Sequence, residues 1–199
     1  MKFTGPKVKK SRALGVALTP KAQKYMRTRP YPPGQHGQAR RRRRSDYGTQ
    51  LLEKQRLRFQ YNVSERYLHR LVKTAAKMPG ATGENIFALL ETRLDALVLR
   101  AGLATSIYAA RQFVNHGHIE VNGKKCNIPS RRLKPGDEFS VRERSKKMVA
   151  FNELRPSVAP APYLATDSSG YGAKLSYLPP RAEVPVICEE HLVVEYYSR

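Results

Sequence analysis

The chain has 199 residues, enough for one domain or two small ones with a real buried core. Lys and Arg number 37 against 16 Asp and Glu, a formal charge of +21. So lopsided a field repels itself unless a polyanion neutralises it, which disfavours a small-molecule enzyme and makes nucleic acid the first partner to consider, an anionic membrane the second. No apolar run nears the roughly 18 residues of a membrane span, and Met1-Lys2-Phe3-Thr4-Gly5-Pro6-Lys7 does not read as a secretory signal.

Residues 1–45 hold fourteen Lys or Arg and no acid, so two thirds of the net charge lies in the first quarter of the chain. The stretch Arg29-Pro30-Tyr31-Pro32-Pro33-Gly34-Gln35-His36-Gly37 and the run Arg40 to Arg44 predict a basic extended arm. Proline and glycine interrupt helices, and consecutive arginines repel one another. Guanidinium forks match phosphate geometry, and Tyr25 or Tyr31 can stack on a base, so the arm is expected to order against RNA.

Ser45-Asp46 caps a predicted helix from Tyr47 to about Tyr61, with Leu51, Leu52, Gln55 and Phe59 near one face. A second helix starts at Ser64 and buries Tyr67, Leu68, Leu71, Val72 and Ala75, ending at Pro79-Gly80. A third, capped by Thr82, keeps Ile86, Leu89, Leu90, Leu94, Leu97 and Val98 in helical phase until Gly102. These aliphatic positions read as core.

Thr105-Ser106 caps a helix to about His116 whose apolar stripe is Ile107, Ala110, Phe113 and Val114. Its other face carries Tyr108, Arg111 and Asn115, with Gln112 and His116 beside them, and its N-terminus can seat a phosphate. His118-Ile119-Glu120-Val121 alternates like a strand, Asn122-Gly123 is a strong hairpin signal, and Lys124 to Ile128 returns. Arg131-Arg132-Leu133-Lys134 adds charge, Pro135-Gly136-Asp137 turns, and Phe139 and Val141 alternate again. His116 and His118 lack a third ligand nearby, and Cys126 and Cys188 lack Cys-x-x-Cys spacing. No metal site is therefore expected, and the cysteines read as buried free thiols.

Arg93-Leu94-Asp95, Arg100-Ala101-Gly102, Ala110-Arg111-Gln112-Phe113-Val114-Asn115-His116-Gly117-His118-Ile119, Val121-Asn122-Gly123 and Pro135-Gly136-Asp137 together resemble the RNA-binding module named after ribosomal protein S-four. That module also occurs on tyrosyl-tRNA synthetases, pseudouridine synthases and rescue factors. The flanks narrow the choice. Pro33-Gly34-Gln35-His36-Gly37, Ser45-Asp46-Tyr47-Gly48, Gln50-Leu51, Glu53-Lys54-Gln55, Leu57-Arg58, Gly80, Thr82-Gly83-Glu84-Asn85 and Glu195-Tyr196-Tyr197-Ser198-Arg199 resemble the bacterial-type ribosomal S-four family itself.

The resemblance implies an α+β fold: a basic extended N-terminal arm over 1–45, a small helical domain over 46–91 with about 185–199, and a second domain over 92–184. The last contains a module, about 92–155, of two helices packed on a small antiparallel sheet. It also implies that Leu192 to Tyr197 return against the helical domain. The implied function is binding of the 5′ domain of small-subunit (16S) rRNA early in assembly, nucleating its folding, near where mRNA enters the subunit. Neighbouring small-subunit proteins and mRNA are expected partners, and some family members repress translation of their own operon. The expected location is the cytoplasmic ribosome. Neither a membrane nor a small-molecule substrate is expected.

Three departures stand out. Many relatives carry a four-cysteine zinc cluster near the N-terminus, whereas no cysteine here precedes Cys126, so the zinc-free form is implied. Ile107 stands where relatives usually have Arg, which shifts weight to Arg111. Ala96 and Leu99 stand where Asn and Tyr are common. No P-loop, Gly-x-Gly-x-x-Gly or Gly-x-Ser-x-Gly occurs, and Asp95 and Asp137 read as isolated, easily solvated carboxylates, with Arg93, Arg100 or a neighbouring segment as candidate ion-pair partners of Asp95, so no catalytic residue and no cofactor are expected. The residues expected to touch rRNA are Arg40, Arg41, Arg42, Arg43, Arg44, Tyr47, Arg56, Arg93, Ser106, Tyr108, Arg111, Gln112, Asn115, His116, His118 and Arg131.

Overall fold

A computed structural model describes residues 3–39, 43–152 and 160–198. The helices are α1 (Lys7–Leu14), α2 (Pro20–Thr28), α3 (Asp46–Gln60), α4 (Glu65–Ala75), α5 (Thr82–Glu91), α6 (Leu94–Arg100), α7 (Ile107–Asn115), α8 (Glu143–Lys146), α9 (Val149–Asn152) and α10 (Glu190–Tyr197). The strands are β1 (Ile119–Val121), β2 (Lys124–Cys126), β3 (Glu138–Val141), β4 (Leu164–Thr166) and β5 (Gly172–Leu175). They fall into two compact units, Met1–Ile86 with Val186–Arg199, and Phe87–Pro185.

In the first unit, part of the segment that the sequence presents as extended is helical. Its prolines do not interrupt these helices because they sit at the starts: Pro6 is the cap of α1, and Pro20 opens α2, where its missing N–H costs nothing. Thr19 caps α2 by accepting from the Ala22 amide. Ser11 is fully buried, donating to the Lys7 carbonyl at 2.9 Å and accepting from the Leu18 amide at 3.1 Å. It thereby fixes the bend in which Gly15 adopts a φ of 70° and Leu14, Val16 and Leu18 turn into the core. Arg12 donates to the carbonyls of Tyr31 and Pro32, holding the proline-rich stretch without a cysteine.

The first long helix also buries a different face from the one expected. Gln50, Glu53, Lys54 and Leu57 are buried, whereas Leu51, Leu52 and Gln55 are only half-buried. Polar side chains tolerate that burial because each has a partner. Gln50 donates to Glu195 at 2.9 Å, Glu53 receives Arg56 at 2.6 Å and the Glu189 amide at 3.1 Å, and Lys54 meets Glu65 at 3.1 Å. Through these contacts α10 packs along α3. Tyr197 closes the group with a 2.7 Å hydrogen bond to Glu65. Burial pushes that carboxyl up, but the Tyr197 and Lys54 hydrogen bonds and the Lys54 and Arg58 charges bring it net below the usual range.

The expected single helix from Thr82 to Gly102 is two, α5 and α6. Thr92 Oγ1 donates back to the Ala88 carbonyl, and Arg93 adopts extended geometry and pairs with Arg132 as an isolated bridge. The Leu94 amide bonds the Arg131 carbonyl, and the Leu133 amide bonds Thr92. A strand-like pairing therefore outcompetes continued helix at Thr92-Arg93, a point where hydrophobic phase continues unbroken. Thr82 lies inside α5 rather than capping it.

All five strands are antiparallel, in the order β2-β1-β3-β5-β4. Asn122 and Gly123 both have positive φ, 50° and 73°, as a two-residue turn between β1 and β2 requires. Ile119, Val121, Phe139, Val141, Ala173 and Leu175 face α6 and α7 through Leu94, Leu97, Val98, Ala110 and Val114. Strands β4 and β5 extend the sheet beyond what the sequence motifs outline. The cysteines are buried and free.

Candidate nucleic-acid interface

Helix α7 is built as its sequence suggests. Ser106 accepts from the Ala109 amide at the N-cap, and Ile107, Ala110 and Val114 are buried. The other face carries half-buried Tyr108, Arg111 and Asn115, with Gln112 and His116 exposed. Burial pushes the Tyr108 hydroxyl up to about 12, so it stays a neutral donor at physiological pH. The Arg131 side chain is exposed while its carbonyl ties down α6.

Arg111 does not stand alone. Its Nη1 donates to Asp95 Oδ2 at 3.1 Å, and the side chain is 19% exposed. Arg93 donates to the same carboxylate from Nε at 2.9 Å and from Nη2 at 2.6 Å. Asp95 is fully buried and Arg93 only 1% exposed. Of the two sequence readings of Asp95, a solvated carboxylate and an ion-pair partner of Arg93, the structure shows the second, and it buries Arg93, expected as an RNA contact, as a structural cation. The sandwiched carboxylate fixes the base of the Arg111 guanidinium before any ligand arrives. A second buried group, Glu91, receives Arg100 at 2.7 Å and the Tyr163 hydroxyl at 2.9 Å. Neither network is visible in the motifs, although the Arg-Leu-Asp spacing of residues 93–95 carries half of the first.

His118 lies beside α7, sharing a 3.1 Å hydrogen bond with Ser145 and edge contacts with Phe113 and Phe151. Burial, with help from His116 and Arg142, lowers its pKa. Among the described residues no group of three or more His, Cys, Asp or Glu could hold a metal ion. The outer face of the sheet carries a groove lined by Glu120, Glu138, Asp167 and Lys174. Three carboxylates there disfavour phosphate.

The remaining expected contacts lie in the other unit. Arg43 and Arg44 are exposed ahead of Ser45, which caps α3 through the Gly48 amide. Arg40, Arg41 and Arg42 lie outside the described residues. Tyr47 is 50% exposed, its ring 5.9 Å from that of Tyr196. Arg56 is largely engaged in the protein: Nε donates to the Leu14 carbonyl at 2.9 Å and Nη1 to Glu53. It ties α3 to α1, a structural task that sequence spacing did not reveal.

Two family descriptions match the chain: "Ribosomal protein S4/S9 N-terminal domain" over residues 2–91, and "S4 domain" over residues 92–139. The chain is 56% identical over 199 residues to a protein of Streptomyces avermitilis named small ribosomal subunit protein uS4, covering 98% of this chain and 97% of that one. The chain belongs to the uS4 family. Relatives of the same name in Thermobifida fusca and Geobacillus stearothermophilus are 52% and 47% identical, the first over the full length of both chains and the second over 100% of this chain and 99% of that one. The uS4 family consists of structural, non-enzymatic ribosomal proteins.

Proposed function

We infer that this uS4-family chain is a structural constituent of the small subunit of the cytoplasmic ribosome. It binds the 5′ domain of small-subunit (16S) rRNA early in assembly and nucleates the folding of that domain. The observation that carries the reading is identity of 52–56% to proteins named small ribosomal subunit protein uS4, across 98–100% of this chain. The mechanism is binding without bond-breaking. Cations neutralise converging phosphates, so RNA helices that would repel one another pack together. The α7 face, with Arg111 held in place by Asp95, contributes shape recognition, and the Arg40 to Arg44 run contributes sequence-independent affinity.

Contacts with mRNA where it enters the subunit, contacts with neighbouring ribosomal proteins, and repression of the chain's own operon are the finer parts of this reading. The test is hydroxyl-radical footprinting of a 5′-domain transcript with and without the full chain. Protection concentrated at one multi-helix junction supports the reading, and Arg111→Gln should weaken that protection more than it weakens binding to random RNA. Uniform protection along the transcript contradicts it.

A further inference from the structure

We propose that the outer face of α4 is a further rRNA-binding surface, in which Arg66, Arg70, Lys73 and Lys77 follow the phosphate backbone of one strand of an RNA helix. This rests on the reading of the chain as an rRNA binder, and it concerns residues that none of the motifs includes.

The four cations fall at i, i+4, i+7 and i+11, within about 60° of helical arc and over about 16 Å of axis. All four are exposed, and none has a carboxylate within ion-pair distance among the described residues. Lys77 lies two residues past the end of α4, in a tightened last turn where its amide bonds the Thr74 carbonyl at 3.1 Å. The opposite stripe, Leu68, Leu71, Val72 and Ala75, is buried. Cations and aliphatic side chains are thus fully segregated on one helix.

That segregation selects the partner. A helix that enters a membrane surface must bury its apolar face in lipid, but here that face is already used in the protein core. Only charge is left to present. A row of four cations over about 16 Å can neutralise several phosphates along one strand of a duplex. The major groove of an RNA duplex is too deep and narrow for side chains to read, so such a row lies on backbone and is indifferent to sequence. Arg66 and Arg70 supply forks for phosphate oxygens, and Lys73 and Lys77 supply mobile point charges.

The experiment replaces all four residues by glutamine in the full chain, which keeps helix propensity and touches no buried group. Binding to a 5′-domain rRNA transcript is measured from 100 to 400 mM salt, beside vesicles containing phosphatidylglycerol, with circular dichroism and thermal melting to establish folding. A second variant, Arg70→Gln with Lys73→Gln, covers the case in which the first does not fold. At 150 mM salt, long-range effects of net charge are screened over about 8 Å, so a large loss reports local contact. The expected result is a loss of three- to fivefold in affinity per contacting residue, and a log–log salt slope shallower by about three for the quadruple variant and about half that for the double. Wild-type affinity and slope in a folded variant overturn the proposal, as does loss of vesicle binding with rRNA binding intact. If the wild-type chain does not prefer the 5′-domain transcript over random RNA, the underlying reading fails, and the proposal fails with it.

Discussion

Replacing Asp95 by alanine removes the carboxylate that faces two guanidinium groups in the interior of the second unit. Asp95 is fully buried, accepts from Arg93 at 2.6 and 2.9 Å and from Arg111 at 3.1 Å, and also accepts from the Ala96 amide at 3.1 Å. The Arg111 limb is 19% exposed, so water can take over part of its role. Arg93, at 1% exposure, stays buried with its counter-charge gone. Breaking a buried pair in this way costs about 3–5 kcal/mol, against total stabilities of about 5–15 kcal/mol for folded domains. Urea denaturation should therefore show a fall of that size in the transition that reports the second unit. Replacing the pair together, Arg93→Met with Asp95→Asn, leaves no uncompensated buried charge and should cost far less, about 1 kcal/mol or below. An Asp95→Ala loss under about 1 kcal/mol, or a double variant as damaged as the single, would refute the claim that an unpaired Arg93 is what the carboxylate prevents.

Ser11→Ala leaves the buried Leu18 amide without its acceptor, so stability should fall by about 1–3 kcal/mol and hydrogen exchange at Leu18 should quicken; an unchanged exchange rate would count against the bend described here. His118 has a folded pKa below its ordinary value, so the unfolded chain binds the proton more readily and stability is lost as pH falls from above about 6.5 through the folded pKa. Thermal melts from pH 8 to pH 5 should show a loss that His118→Gln lacks, and parallel curves would contradict the lowered pKa. Replacing Arg40 to Arg44 by glutamine should weaken binding to specific and random RNA alike and flatten the salt slope by up to about four; an unchanged slope would remove the run from the interface. Substitution is the sound test there, because Leu14, Val16, Leu18 and Ala22 are core residues that truncation of the segment would remove.

How much of this fold could be read in advance depended on what makes each signal. The helix caps Ser45, Ser64 and Ser106 and the Asn122-Gly123 turn are local chemistry, and the structure uses each at its place. The break at Thr92-Arg93 was hidden because it is imposed by a partner strand around Arg132, forty residues away in sequence, while hydrophobic phase runs on. The buried face of α3 was hidden for a different reason: its period is written in Gln50, Glu53 and Lys54, whose burial depends on partners in α4 and in the C-terminal segment that includes α10. In the candidate site, Arg111 stands half-buried on the polar face of α7, whereas Arg93, expected beside it as a contact, is buried. Only its 2.6 Å pairing with Asp95 distinguishes a scaffold cation from a ligand-facing one. The α4 row carries no motif, because its cations are spaced along the sequence and not clustered. Four cations spread over twelve residues become a patch only once their helix has buried its other side.

Competition binding at physiological salt tests the central claim most directly. A labelled 5′-domain transcript bound to the full chain is challenged with unlabelled 5′-domain rRNA, tRNA, random RNA and duplex DNA. Specific recognition predicts that only the first competes at low excess, with a discrimination of several kcal/mol over the others, as specific nucleic-acid complexes show. Equal competition by all four would mean that the charge of +21 acts alone, and it would contradict the assignment of the α7 face to shape recognition.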